Sequence, residues 1–259
     1  MTIRFDHVTK SFGPKTILND VSFEVAEGEI LFVLGKSGMG KSVTLKHIVG
    51  VMKPSTGKVY IGSTDVTQLD DEGLARIRRK CGMVFQQPAL LDSLTIYENV
   101  SFGLRTPGYV RSLERPLTEM EIREKVIAKL RLVHLGTEIL DRKPPEISYG
   151  MQKRVSLART LAPSPEILLF DEPTTGLDPI STRAVNQLIL ELSRQLKVTS
   201  VVVSHDMACA LEIADRILVL DQARILALNT VPEIKRSKIP LIQEFLEETL
   251  QDPGTGGAR

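Results

Sequence analysis

The sequence predicts an α/β fold: a mostly parallel sheet with helices on its faces, joined by an antiparallel β subdomain and an inserted helical subdomain. Three observations predict it. Continuous apolar runs stand at 29–34 (EILFVL), 167–170 (ILLF) and 200–204 (SVVVS), the pattern of strands buried on both faces. Period-two alternation in IRFDHV and VSFEV marks antiparallel strands with one buried face. Residues 89–145 change character and read as helices and loops.

In chain order, Ile3, Phe5 and His7 are expected on the inner face of the first strand, and Val21, Phe23 and Val25 on that of the second. Phe12-Gly13-Pro14 reads as the turn between them. Phe12 serves either the turn or as a ring for stacking on a base. The buried strand at 29–34 leads into Gly35-Lys36-Ser37-Gly38-Met39-Gly40-Lys41-Ser42, which fits G-x-x-x-x-G-K-[ST] at every fixed position. Glycines there let the backbone approach phosphate, so that amide N–H groups and the positive end of a helix surround it. Lys41 can reach the β- and γ-phosphates, and the Ser42 hydroxyl can ligate Mg²⁺. Leu45, Ile48 and Val49 continue at helical spacing to a stop at Gly50.

A turn at 54–57, a strand at 58–61, a basic helix at 74–80 and a buried strand at 81–85 follow, and Gln86-Gln87-Pro88 closes that strand. Residues 104–116 hold two prolines and a glycine and are expected to be a loop. Thr118 and Glu121 form a capping box ahead of the stripe Ile122, Val126, Leu130 and Val133. After Pro144-Pro145 and Ser148, a helical period through Met151, Val155, Ala158 and Leu161 runs to Pro163. The strand at 167–170 ends in Asp171 and Glu172. A helix is expected over 183–194, and the strand at 200–204 ends at His205. Strands at 216–220 and 223–228 close the compact part, an amphipathic piece spans 240–250, and the tail DPGTGGAR is expected to be disordered.

Ligands of open parallel sheets bind at the carboxyl ends of the strands. The glycine-rich loop, Gln86, Asp171 with Glu172, and His205 all follow strand ends, so they are expected to converge on one nucleotide. An acidic pair after a strand reads by itself as a solvated strand end. After a phosphate loop, Asp171 suits holding Mg²⁺ and Glu172 suits orienting or deprotonating a water. His205 alone reads as a surface or core histidine; in this setting it suits a γ-phosphate contact.

Composition narrows the function classes. The 259 residues carry 33 basic and 32 acidic side chains, a net charge of +1, and no basic block that points to nucleic acid. No apolar run is long enough to span a bilayer, and the first ten residues lack the apolar core of a signal peptide. Cys81 and Cys209 have no metal-like spacing and read as buried free thiols. A cytoplasmic chain is expected.

Taken in order over residues 3–228, these motifs resemble the nucleotide-binding subunit of an ABC transporter. Phe12 matches the aromatic A-loop, 35–42 Walker A, Gln86 the Q-loop, 148–152 the signature, Asp171 and Glu172 the end of Walker B, 175–178 the D-loop and His205 the switch histidine. The resemblance implies a P-loop NTPase (RecA-like) core within an ATP-binding domain at 1–235, with a helical subdomain at about 88–162 and a separate segment at 236–259. It implies ATP and Mg²⁺ as cofactors. The nucleotide would be held by Phe12, Gly35, Lys36, Ser37, Gly38, Met39, Gly40, Lys41, Ser42, Val43, Ser148, Gly150 and Asp178. The metal would be held by Ser42, Gln86 and Asp171, and the chemistry assisted by Glu172, His205 and Gln86. The resemblance further implies a head-to-tail homodimer with ATP between Walker A of one chain and the signature of the other, working with integral-membrane permease subunits.

One departure stands out. The family pattern L-S-G-G-Q is here Ile147-Ser148-Tyr149-Gly150-Met151. Tyr149 replaces a glycine, and is expected to cost energy if that position needs positive φ or a close approach to phosphate.

Residues 41–48, 85–95, 98–100 and 237–246 are similar to the ATPases of Mla- and Mce-type phospholipid transport systems. This finer resemblance implies phospholipid cargo, a periplasmic Mce-domain lipid-binding partner and a place on the cytoplasmic side of the inner membrane. Amino-acid importers and lipoprotein-releasing ATPases share parts of these segments, so another cargo stays open. Leu90, Leu91 and Leu94 read either as core or as a groove for a permease helix. A non-transport ABC ATPase would carry a longer insertion or a second cassette, and a P-loop kinase would need neither a signature nor a switch histidine.

Overall fold

A computed structural model describes residues 1–251; the tail expected to be disordered lies outside the described residues. β1 (Ile3–Phe12) and β2 (Lys15–Val25) pair antiparallel about a turn at Gly13 and Pro14. Ile3 and Phe5 face inward as expected, but His7 does not. His7 sits at φ 49, the ladder shifts register between Phe5 and Val8, and Val8 takes the buried place. A bulge of this kind turns one side chain out and the next one in.

β3 (Ile30–Leu34) is buried along its length and feeds α1 (Lys41–Ile48). β4 (Thr56–Ile61) and β5 (Thr64–Asp65) complete a sheet of order β2-β1-β4-β5. α2 (Asp71–Lys80), capped by the Asp70 side chain, leads into β6 (Cys81–Val84). The helical segment then contains α3 (Ile96–Ser101), α4 (Pro107–Val110), α5 (Glu119–Leu132) and α6 (Tyr149–Leu161). The expected loop at 104–116 is therefore partly helical. Thr106 caps α4 and Pro107 stands in its first turn, where a missing N–H breaks no helical bond. The capping box at Thr118 forms, and its stripe of Ile122, Val126, Leu130 and Val133 is buried.

The chain continues through β7 (Ile167–Asp171), α7 (Pro179–Leu196), β8 (Thr199–Ser204), α8 (Met207–Ile213), β9 (Arg216–Asp221), β10 (Arg224–Thr230), α9 (Val231–Lys235) and α10 (Pro240–Gln251). α7 begins earlier than its apolar pattern suggests, because Asp178 caps it and Pro179 opens it. β10 begins one residue later than expected, because Gln222 and Ala223 are both left-handed, at φ 44 and 65, and make the hairpin turn.

The second sheet has the order β10-β9-β3-β8-β7-β6; its neighbours are parallel except for β9 and β10. Both faces are covered, which is why its strands read as continuous apolar runs. Ile30, Phe32, Leu168, Phe170 and Val202 join one core with α5 to α8, while Leu31, Val33, Leu169 and Val201 join another with α1 and the first sheet. Truncating one such side chain to alanine costs about 2–5 kcal/mol. The register pairs Leu34 with Ser204, Asp171 with Val203 and Val84 with Phe170. The carboxyl ends of β3, β6, β7 and β8 therefore open on one edge of the sheet. Of the two free thiols Cys209 is buried and Cys81 half-buried, and burial pushes both up to about 12. Among the described residues no helix is long and apolar enough to cross a membrane.

Candidate active site

The loop between β3 and α1 takes its shape from glycine. Gly38 and Gly40 lie at φ 81 and 95, and a Cβ on Gly40 would come within 2.9 Å of the Ile17 carbonyl oxygen. Gly40 immediately precedes α1, and no side chain caps that end, so the first N–H groups of the helix are available to an anion. The Lys41 side chain is 7% exposed, and its ammonium is hydrogen-bonded within the loop. It donates to the carbonyl oxygens of Gly35 at 2.6 Å and Lys36 at 3.2 Å, and lies 3.5 Å from Glu172 Oε1.

The two carboxylates after β7 divide the remaining polar contacts. Asp171 Oδ1 accepts from the Ser42 hydroxyl at 2.8 Å. Glu172 Oε2 accepts from Thr175 Oγ1 at 3.2 Å and Ser204 Oγ at 3.1 Å, and lies 3.0 Å from His205 Nδ1. Glu172 is held at φ 49, a left-handed conformation that costs a side-chain-bearing residue roughly 1–3 kcal/mol and recurs at functional sites. Its backbone N–H donates to Val203 at 2.9 Å, so the neighbouring strand fixes the strained residue.

These groups line one cleft of about 770 Å³. From the expected set it gathers Phe12, Lys36, Ser37, Gly38, Gly40, Lys41, Ser42, Val43, Gln86, Asp171, Glu172 and His205. The Phe12 ring is 48% exposed, so it is free to stack rather than serving the turn alone. The other expected residues sit elsewhere. The Met39 side chain packs against the core shared by α1 and the first sheet. Gly35 is walled by Leu220, whose carbonyl oxygen a Cβ would meet at 2.7 Å. Ser148 caps α6 by accepting from Met151 N at 3.3 Å, and Gly150 lies in the first turn with open space where a Cβ would go. Asp178 caps α7, accepting from Ile180 N and Ser181 N at 3.0 Å each. Hydrogen bonds from Ser181 hold its carboxyl below the usual range. Neither Ser148, Gly150 nor Asp178 borders the cleft within this chain. Tyr149 opens α6 without positive φ, so the strain expected of it does not arise inside the chain.

Several contributors have no local signal in the sequence. Thr175 and Ser204 aim hydroxyls at Glu172, a pairing that only the fold creates. α10 packs beside α8 and reaches the cleft: Phe245 and Glu248 line it, and Glu244 Oε1 lies 2.8 Å from Lys36 Nζ. That hydrogen bond raises the Lys36 pKa above its ordinary value.

Ser42 and Asp171 offer hard oxygen donors side by side, and among the described residues no group of three or more His, Cys, Asp or Glu could hold a metal ion. That donor set fits Mg²⁺, which is commonly held by one carboxylate together with substrate phosphates rather than by a protein cage.

Comparison with known proteins places this geometry. The family model described as "ABC transporter" matches residues 18–175. The probable ribonucleotide transport ATP-binding protein mkl of Mycobacterium leprae is 36% identical over 247 residues, 95% of this chain and 69% of that protein. The methionine import ATP-binding protein MetN of Carboxydothermus hydrogenoformans is 36% identical over 234 residues, 90% of this chain and 67% of that protein. Among solved structures, the ATP-binding cassette MJ0796, a dimer in a post-hydrolysis state bound to ADP and Pi, is 34% identical with a TM-score of 0.78. That match covers 88% of this chain and 98% of that one.

Proposed function

The chain belongs to the ABC transporter family as one of its ATP-hydrolysing subunits, and on that premise we propose that it powers phospholipid movement between membranes of the cell envelope. The observation that carries the hydrolytic site is the meeting of Lys41 with Glu172 at 3.5 Å, beside the Ser42–Asp171 pair. Phe12 stacks on the base. The loop amides, Lys36, Ser37 and Lys41 hold the phosphates. Ser42 and Asp171, with Gln86, hold Mg²⁺, which when bound offsets phosphate charge. Glu172 takes a proton from the attacking water as its oxygen bonds to the γ-phosphorus and the bond to the ADP oxygen breaks. Thr175 and Ser204 occupy Glu172 Oε2, which fixes the carboxylate for that role. His205 contacts the γ-phosphate.

Ser148, Gly150 and Asp178 lie outside the cleft of their own chain, which supports a head-to-tail homodimer in which a second copy brings its signature to the nucleotide. We assign residues 1–235 to the cassette, about 88–162 to its helical insert, and 236–259 to a C-terminal segment whose helix α10 packs back on α8.

Phospholipid cargo rests on the likeness of residues 41–48, 85–95, 98–100 and 237–246 to Mla- and Mce-type ATPases. On that reading the chain works on the cytoplasmic face of the inner membrane with a permease dimer and a periplasmic Mce-domain protein. The names of the relatives favour a second reading, methionine or ribonucleotide transport. Affinity purification from native membranes separates the two. Recovery of an Mla- or Mce-type permease is expected, and recovery of an amino-acid or nucleotide permease sinks the lipid reading.

The docking surface lies after Gln86, and exposure within it is uneven. Leu91 is 41% exposed, whereas Leu90 and Tyr97 pack against the core. Leu91→Asp is therefore expected to release the chain from membranes with its melting temperature unchanged; continued sedimentation with membranes would remove Leu91 from the interface.

α10 sets the charge at the cleft. Glu248 lines the cleft and Glu244 pairs with the cleft residue Lys36, so both carboxylates oppose bound phosphates. Replacing both by glutamine is expected to tighten ATP binding about two- to fivefold at low salt and less at high salt. Calorimetric titration at two ionic strengths checks this, and an unchanged affinity at low salt contradicts it.

A further inference from the structure

Lys153 stands in the second turn of α6 with its side chain 7% exposed. Its ammonium donates to three backbone carbonyls: Gln86 at 2.8 Å, Pro173 at 2.7 Å and Thr175 at 3.4 Å. An ammonium has three N–H donors, so this set uses all of them. Burying a charge is costly unless it is satisfied in this way, and the loss of hydration draws the lysine below its ordinary range. The three carbonyls lie past the ends of β6 and β7, which are neighbours in the sheet. One belongs to Gln86 itself. Another belongs to Thr175, whose hydroxyl donates to Glu172 at 3.2 Å. Further along α6, Arg159 donates to the carbonyls of Ala89 at 2.8 Å and Pro88 at 3.1 Å, so the helix grips the segment after β6 at two heights. Tyr149 precedes Lys153 by one helical turn and shares its face. The ammonium lies 5.5 Å from the centre of the Tyr149 ring, within reach of a cation–π attraction.

We propose that Lys153 is a positioning residue for ATP hydrolysis: it fixes Gln86 and the Thr175–Glu172 pair relative to the start of α6, and the Tyr149 ring holds the ammonium in that place. A displacement of α6 then moves both groups together, so the end of the helix that meets a second copy is mechanically joined to the groups that meet the γ-phosphate. The departure at Tyr149 gains a use, since a ring in place of glycine steadies a buried charge. The inference rests on the roles proposed above for Gln86 and Glu172.

The test compares kcat with ATP affinity in the full chain. Lys153→Met keeps the length of the side chain and removes the donors. It is expected to lower kcat about 10- to 100-fold, the scale of a small misplacement of reacting groups, with the Kd for ATP within about twofold of the parent. Lys153→Arg, which keeps the charge, is expected to fall between the two. Tyr149→Leu is expected to lower kcat about threefold, whereas Tyr149→Phe keeps the ring and the parental rate. Parental kcat in Lys153→Met, or a loss expressed wholly as weaker ATP binding, overturns the proposal. If Lys153→Met does not fold by thermal unfolding, the Tyr149 pair decides, and equal rates for leucine and phenylalanine overturn it. Glu172→Gln runs alongside: parental turnover there would refute the assignment of the base. An inactive Glu172→Gln beside a parental Lys153→Met refutes the positioning role alone.

Discussion

Replacing Glu172 by glutamine is expected to lower ATP turnover by about 10²-fold or more, the scale of lost general-base help, while ATP stays bound. The change removes one capability and leaves the surroundings in place. A glutamine oxygen still accepts from Thr175 and Ser204, and the left-handed backbone stays tied to Val203 through its N–H. What is lost is a group that takes a proton. The Ser42–Asp171 pair is untouched and Lys41 loses only the carboxylate charge 3.5 Å away while keeping its bonds to Gly35 and Lys36, so affinity for Mg²⁺–ATP is expected to stay within about threefold of the parent. Single-turnover hydrolysis and equilibrium binding measured on one sample separate the two quantities. Parental turnover would show that another group takes the proton.

Lys41→Ala is expected to do the reverse and weaken nucleotide binding itself, by roughly 30-fold or more, the scale of truncating one partner of an enclosed charged contact. The side chain is buried, its ammonium donates to the loop carbonyls of Gly35 and Lys36, and it lies 3.5 Å from Glu172. Its removal leaves those two carbonyls without a donor, which costs about 1–3 kcal/mol of stability for each acceptor that stays buried and unpaired. The binding measurement is therefore paired with a melting curve, and affinity is compared only among folded samples. An unchanged Kd would move the phosphate contact to Lys36, which also lines the cleft.

The fold was largely legible because burial leaves periodic marks. Strands covered on both faces appear as ILFVL and ILLF, and the exposed faces of β1 and β2 appear as alternation. In β1 and ahead of β10 a single backbone conformation decided the outcome. His7 at φ 49 and Ala223 at φ 65 are a bulge and a turn in residues that carry no glycine-like signal. α7 began early because a cap and a proline, not an apolar side chain, start it.

The site was legible for a different reason. The glycine-rich loop, Gln86, Asp171 with Glu172, and His205 stand at or just after strand ends, so one edge of the second sheet collects them once its strands are ordered. Contacts between distant elements were not legible. Lys153 to Pro173, Ser204 to Glu172 and Glu244 to Lys36 join segments that only the folded chain brings together. Ser148 and Asp178 show the converse. Their motifs were evident, yet within the chain they cap α6 and α7 and do not border the cleft.

The proposed homodimer requires a second copy at the nucleotide. Sedimentation of the Glu172→Gln chain with and without Mg²⁺–ATP tests it. A monomer in buffer is expected to become a dimer of about 57 kDa, twice the 28.7 kDa chain, when ATP is added, and to return to monomer when Ser148→Arg is also present. A chain that binds ATP at the cleft and stays monomeric at every concentration would contradict it.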